Sequence, residues 1–239
     1  MGMGQSKAVA GFNTWAATYD QSVAEEVEKY SGMPYEEVLR RVVEAAGAAP
    51  HAQVLDVGTG TGALAFALAT TLSEGHVVGI DPTPEMLRRA QENAQRLNTN
   101  SQVEFRLGAA ESLPFPDNSF DIVVSSLAMH HTRVPQSLKE MARVLKPGGR
   151  LAIADMAHNP RLETTLGFLV KPLLALFYLA SKRSIRMMRA EIEAYDQMYT
   201  GQQWEVMLRQ AGLNDIKVQE FPHPTSKWYS SILIAQAGK

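Results

Sequence analysis

Cysteine is absent from all 239 residues, which excludes disulfides, thiolate nucleophiles and cysteine-ligated zinc. Neither sign of charge is in excess: 23 Lys and Arg stand against 25 Asp and Glu, so a nucleic-acid partner has no bulk electrostatic support. No apolar run is long enough to span a bilayer, because the richest, residues 166–180, is interrupted by Lys171 and Pro172. No stretch resembles a secretory signal, and a cytoplasmic location is the expectation. Met1-Gly2 with Ser6 fits the N-myristoylation pattern, but so short a match is expected by chance. Repeats and low-complexity tracts are missing too. The chain does have apolar residues, 45% of the total. That is enough for one globular domain over 1–239, with a sizeable core.

The most informative stretch is VLDVGTGTG, residues 54–62. Residues 54–57 read as a short buried strand. Gly58, Gly60 and Gly62 follow at alternate positions, and residues 63–72 are apolar nearly all round, as in a helix packed on a sheet. Strand, glycine turn and helix open a nucleotide-binding α/β unit, in which the helix start offers free N–H groups to a ligand. Gly58, Gly60 and Ala63 also satisfy the dinucleotide fingerprint. Against a pyrophosphate stands Asp56, a carboxylate just before the loop, which suits an ammonium group better. With Thr59 inside the loop, the stretch resembles the first motif of class I S-adenosylmethionine-dependent methyltransferases. That resemblance implies S-adenosylmethionine as cofactor, with Asp56 toward its methionine end and the glycine loop beneath it.

In chain order, residues 6–47 read as helical with a break near Gly32–Pro34, an N-terminal helical cover over 1–50. FNTWAATYD (12–20) resembles the N-terminal segment of ubiquinone/menaquinone-type methyltransferases, which implies Tyr19 near the cofactor. Residues 35–46 form a second helix with Val38, Val42 and Ala45 on one face. HVVGID (76–81) is a second strand ending in Asp81, at the spacing of a ribose-binding acid. An acid at a strand end is read as lying outside the core. Thr83 reads as an N-cap before Pro84, with Leu87, Ala90, Ala94 and Leu97 as the helix stripe. The resemblance places Pro82 and Met86 near the adenosine.

Residues 103–107 and 120–126 are further strands. The segment 108–131 resembles the family's second and third motifs, with one departure: the Asp often found after the first Gly is Ala109. Glu111 or backbone groups then serve the adenine, with the Ala110 N–H on its ring. Ser126 and Leu127 complete the cofactor set. Residues 134–145 are helical, Lys146 to Gly149 mark a turn, and 150–156 form a fifth strand. Residues 157–199 are expected to be a helical substrate lid. Their basic residues, Lys182, Arg183, Arg186 and Arg189, leave open a peripheral contact of 166–189 with anionic lipid. Thr200 and Gln203 form a capping box, and 216–221 and 229–235 are the last strands. The family's sheet is doubly wound and mostly parallel, with seven strands in the order 3-2-1-4-5-7-6 and the last antiparallel.

Methyl transfer is an in-line displacement in which positioning supplies most of the rate. A base is needed only where the nucleophile must lose a proton. His130 and His131 follow the fourth strand, His158 the fifth, and His130 is the candidate for a direct catalytic role. Tyr19, Tyr195 and Tyr199 are candidates for orienting a substrate. No metal-ligand spacing links the histidines. The leading expectation is methylation of a small apolar or aromatic molecule at carbon, oxygen or nitrogen. A non-catalytic cofactor-binding module and a nicotinamide-dependent oxidoreductase are its rivals.

Overall fold

The computed structural model describes residues 19–99, 101–159, 169, 172, 173, 176, 192–227 and 229–239. Two helices lead in, α1 (Tyr19–Ser31) and α2 (Tyr35–Ala46). The expected break between them is present, with Gly32 at φ +70°. Helix α2 buries Val38, Val42 and Ala46 and ends on Gly47, whose left-handed backbone donates to the Val43 carbonyl. Its buried stripe thus ends one residue later than the expected Ala45.

Then come β1 (Gln53–Val57), α3 (Ala63–Ala69), β2 (His76–Asp81), α4 (Pro84–Leu97), β3 (Val103–Leu107) and β4 (Phe120–Ser126). A short 3-10 turn (Met129–His131) leads to α5 (Val134–Val144) and β5 (Leu145–Ala157). The chain closes with α6 (Gly201–Gln210), β6 (Asn214–Phe221) and β7 (Ser231–Gly238). The seven strands form one sheet in the order β3-β2-β1-β4-β5-β7-β6. β1 to β5 pair in parallel, and β7 runs antiparallel to both β5 and β6. The expected architecture is present strand for strand.

Alternation along the central strands divides the core between the two faces of the sheet. Leu55, Val57, Val123, Leu151 and Ile153 pack with α5 and α6 on one face, through Leu138, Met141, Trp204 and Leu208. Val54, Val124, Ala152 and Ala154 pack with α1, α2 and α3 on the other, through Val23, Val42 and Leu68. Burying a Leu or Val side chain contributes about 1.5–3 kcal/mol, so these two faces hold the strand ends in register.

Four local features differ from the sequence expectation. The Lys146–Gly149 turn lies inside β5, as a bulge between the pairs Phe120↔Leu145 and Ile122↔Arg150. Gly148 takes φ +77°, and its N–H donates to the Lys239 carbonyl at 2.8 Å, tying the bulge to the chain just after β7. Leu97 is half exposed, and Met86 joins the buried stripe of α4 instead. Thr83 occupies the N-cap of α4 without a side-chain cap bond. The capping box of Thr200 and Gln203 does form.

The FNTWAATYD segment before Tyr19, most of the expected lid and the whole basic run fall outside the described residues. Leu169, Leu173 and Leu176 are helical and exposed. No helix among the described residues is long and apolar enough to cross a membrane.

Candidate active site

The sheet order reverses between β1 and β4, and the loop after β1 emerges at that point, where open α/β sheets bind ligands. The Gly58 and Thr59 N–H groups both donate to the Ile80 carbonyl, at 2.8 and 3.0 Å, folding the loop back over β2. Gly58 has φ +74°, and a Cβ there would lie 2.4 Å from the Cβ of Ala128. The loop and the chain after β4 therefore touch through a position only glycine fills. Gly60 and Gly62 are also left-handed, and Gly62 occupies the N-cap of α3.

Two buried carboxylates flank this loop. Asp56 is 1% exposed, and its Oδ2 accepts the Thr59 hydroxyl at 2.7 Å. Burial, with the charge of Asp81 adding to it, pushes the Asp56 pKa up to about 7, while Thr59 and the Ala65 N–H oppose the shift. Asp81 is 8% exposed, so it belongs to the interior, contrary to the expectation for a strand-end acid. Its Oδ2 accepts the Gly60 N–H at 3.0 Å and its Oδ1 the Thr83 N–H at 2.8 Å. Burial raises its pKa as well, against the pull of those two N–H groups. Asp81 thus braces the glycine loop.

A cleft at this point is lined by Tyr35, Asp56, Gly58, Thr59, Gly60, Thr61, Leu64 and Ser126. The Ser126 hydroxyl is buried with no hydrogen-bond partner among the described residues. Leu127 follows with φ +53°, its N–H on the Ala154 carbonyl. A left-handed branched residue at a ligand-facing strand end is stored strain of about 1–3 kcal/mol. Tyr35 lines the cleft although the sequence pointed to Tyr19, whose side chain lies outside the described residues. The signal for Tyr35 was its position just after the Gly32–Pro34 break, which aims the start of α2 at the sheet.

The adenosine-side expectations fall around Asp81. The Gly108 N–H donates to the Asp81 carbonyl at 3.1 Å, which brings Ala109 beside β2. Ala110 is buried, Met86 is 2% exposed and Pro82 is exposed. The Glu111 carboxylate turns the other way: Oε1 accepts the Arg133 N–H at 2.9 Å, at the start of α5. It serves there as an acceptor for the free N–H groups of a helix end.

His130 and His131 do not line the cleft. Their 3-10 turn begins just past Ala128, the residue beneath Gly58. His130 is 7% exposed, and its Nδ1 is in close contact with Oδ1 of Asp155 on β5. Its N–H donates to the other oxygen, Oδ2, at 2.9 Å. Asp155, 1% exposed, was missed in the sequence, where it sits unmarked inside an apolar strand. The His131 ring lies 4.1 Å from that of His130, and burial first, then its neighbour's charge, lowers its pKa well below the ordinary value. His158 stands apart, stacked edge-on against Tyr195 in a separate cavity of about 730 Å³. Tyr199, Gln203 and Met207 line it further.

A family described as "Methyltransferase domain" matches residues 48–216, most of the chain and all of the cleft except Tyr35. The chain belongs to that family. Erythromycin 3''-O-methyltransferase of Saccharopolyspora erythraea is 40% identical over 122 residues, 51% of this chain and 40% of that protein. A ubiquinone/menaquinone biosynthesis C-methyltransferase of Dinoroseobacter shibae is 38% identical over 120 residues, 48% of each. The chain therefore spans about half or less of the length of these curated relatives. A crystal structure of an S-adenosylmethionine-dependent methyltransferase from Aquifex aeolicus shares the fold, with TM-score 0.63 and 20% identity over 93% of this chain and 97% of that one.

The strand order with its antiparallel β7 is that of the class I methyltransferases, whose cofactor is S-adenosylmethionine. This methyltransferase domain has groups that fit the cofactor. Asp56 is a buried acid that could hold an ammonium group, Gly60 adds left-handed backbone beside it, and the Ser126 hydroxyl has no partner among the described residues. A dinucleotide pyrophosphate would meet the buried carboxylate of Asp56 instead.

Proposed function

We propose that this protein transfers the methyl group of S-adenosylmethionine to a small molecule. The observation that carries the reading is the pair of buried carboxylates, Asp56 and Asp81, on either side of the glycine loop at the switch point of the sheet. Ionised Asp56 attracts the ammonium of the methionine end. Gly58, Thr59, Gly60 and Gly62 let the backbone approach, and Ser126 and Leu127 close the near wall. Asp81 accepts from the ribose hydroxyls on lone pairs that Gly60 and Thr83 do not use. Ala109 and Ala110 offer backbone groups to the adenine, with Met86 and Pro82 beside it. Tyr19 completes the cofactor set as the family resemblance places it, while Glu111, engaged with the Arg133 N–H, leaves the adenine to the backbone groups.

When bound, the cofactor supplies a methyl group on a sulfonium, activated toward nucleophiles. The chain's own task is to hold an acceptor in line with it, an effect of up to about 7–11 kcal/mol. The cavity lined by His158, Tyr195 and Tyr199 at the end of β5 is the acceptor entrance in this reading. The relatives that match at about 40% identity support a small-molecule acceptor, since their names refer to erythromycin and to quinone biosynthesis.

Calorimetry with S-adenosylmethionine, S-adenosylhomocysteine and NAD tests the cofactor half: the first two bind and NAD does not. An acceptor screen followed by S-adenosylhomocysteine release tests the transfer. Binding of NAD without S-adenosylmethionine would overturn the reading.

A further inference from the structure

The loop between β6 and β7, residues 222–230, is seated against the bend between α1 and α2. Gly32 lies at that bend, and a Cβ there would come within 2.2 Å of Pro224 Cδ and 3.2 Å of His223 Cδ2. The close approach and the φ of +70° both call for glycine. Tyr229 packs edge-on against Tyr30 near the end of α1, at 5.9 Å, and against His223 at 4.9 Å. His223 Nδ1 accepts the Thr225 and Ser226 N–H groups, at 3.2 and 3.0 Å, which fixes the turn of the loop. Just before the loop, the Arg41 guanidinium of α2 sits 4.2 Å above the Phe221 ring centre. The loop is also held from the sheet. Asn159 Nδ2 donates to the Lys227 and Tyr229 carbonyls, both at 3.0 Å. Asn159 stands two residues past β5, next to His158 of the acceptor cavity.

The bend has little slack of its own. Ser31 is 2% exposed, its hydroxyl donates to the Val27 carbonyl at 2.6 Å, and it accepts the Met33 N–H at 3.1 Å. Pro34 then fixes one more backbone angle. The next residue is Tyr35, the first of α2 and a wall of the cleft that holds Asp56. A shift of the bend therefore moves Tyr35. None of the described loop residues lines the cleft itself.

We propose that the β6–β7 loop positions the cofactor from outside the cleft: clamped by Asn159, it seats the Gly32 bend and so sets Tyr35 against the methionine end of S-adenosylmethionine beside Asp56. This rests on the methyl-transfer reading above and deepens it by naming what governs cofactor affinity. Asn159, Pro224 and Gly32 are positioning residues that act through Tyr35. Such coupling is reciprocal, so a bound cofactor must in turn tighten the loop.

The test is calorimetry with S-adenosylhomocysteine on the intact protein and two variants, at a temperature where thermal melts show all of them folded. Asn159→Ala removes both side-chain bonds to the loop, and Pro224→Ala takes away the ring beside Gly32. Each should weaken binding about 3- to 30-fold. With Tyr35→Ala already present, neither should weaken it by more than about a further twofold. A role in folding alone would lower the melting temperature and leave affinity unchanged, or lower it equally with and without Tyr35. Hydrogen exchange reads the reverse direction: S-adenosylhomocysteine should slow the Thr225 and Ser226 amides in the parent, and less so in Tyr35→Ala. If the loop variants do not fold, this comparison decides. Unchanged affinity in either loop variant, an equal loss with and without Tyr35, or exchange unaffected by the ligand would overturn the proposal alone. A parent that binds neither S-adenosylhomocysteine nor S-adenosylmethionine fails the cofactor reading itself, and the proposal falls with it.

Discussion

Lowering the pH through the neutral range perturbs Asp56 directly, and the structure gives the size of the effect. Burial and the neighbouring Asp81 charge push the Asp56 pKa from its ordinary 3.8 up to about 7 in the cofactor-free protein. A raised carboxylate pKa stabilises the fold fully below the unfolded value, and that stability is lost as pH rises through the folded value. Cofactor-free protein should therefore lose stability between about pH 4 and 7, at up to about 1.4 kcal/mol per unit, with Asp81 adding in the same direction. On the proposed assignment binding runs the other way, because an ammonium held by Asp56 needs that carboxyl ionised. At about pH 6 only about a tenth of Asp56 is ionised, and at about pH 7 about half, so affinity should fall about fivefold between them and about tenfold over the next unit down. The ligand's own α-amino group, with a pKa of about 7.7–8.0, stays charged in that range. Calorimetry in two buffers of different ionisation enthalpy counts the protons: about 0.9 released per cofactor at about pH 6, and about half that at about pH 7. D56N should flatten both curves, bind the cofactor more weakly by about 1.5–3 kcal/mol, and melt higher than the parent at neutral pH. Proton uptake on binding, or the same pH dependence in D56N, would refute the assignment of Asp56 to the cofactor's cationic end.

Asp81→Ala should weaken cofactor binding by about 1.5–3 kcal/mol. It should also lower the melting temperature, because the Gly60 and Thr83 N–H groups lose their acceptor; calorimetry and a thermal melt separate the two effects. Gly58→Ala puts a methyl group 2.4 Å from the Ala128 Cβ at φ +74°, so it should cost about 1–3 kcal/mol from the clash alone and abolish cofactor binding, read by the same pair of assays. Arg143→Ala removes donors to the Leu113 and Phe115 carbonyls and the ion pairs with Glu140 and Asp117. Its half-exposed position limits the loss to about 1–2 kcal/mol, and hydrogen exchange should show it first in residues 113–117.

The strand order and the glycine loop were legible in the sequence for physical reasons. Parallel strands covered on both faces read as unbroken apolar runs, and a glycine turn between such a strand and a helix has few other uses. Asp56 and Asp81 stood out because each ends one of those runs. Their burial did not: a strand end reads as exposed, but the glycine loop folds back over β2 and covers both acids. The Lys146–Gly149 signal was a real change of chain direction, yet it became a bulge because the strand resumes pairing with β4 on both sides of it. Leu127 gave no sign of its positive φ, since nothing local in LAMHH asks for it. Its conformation is imposed by the sheet below and the turn above.

Asp155 shows most clearly what a single sequence conceals and what topology can return. Within residues 151–157 it is one acid in an apolar strand, twenty-five residues from His130, and no motif spacing connects the two. The strand order supplies the connection. In a sheet ordered 3-2-1-4-5, the fourth and fifth strands are neighbours, so a polar residue at the end of one lies beside whatever follows the other. Ser126 opposite Ala154 fixes that register, and alternation then puts Asp155 on the Leu151 and Ile153 face of the sheet, with Met129 and α5. The histidine after β4 is on that same side. The same register rule finds Ser126 against the Asp56 cleft on the opposite face. One strand end thus serves two places: Ser126 lines the cleft beside the glycine loop, and the turn beyond it carries a histidine over to the next strand's acid. Removing the acid's charge while keeping its shape, as D155N does, should accordingly lower the melting temperature, because the His130 N–H and ring lose a charged acceptor; an unchanged melt would show that the contact does not hold the turn.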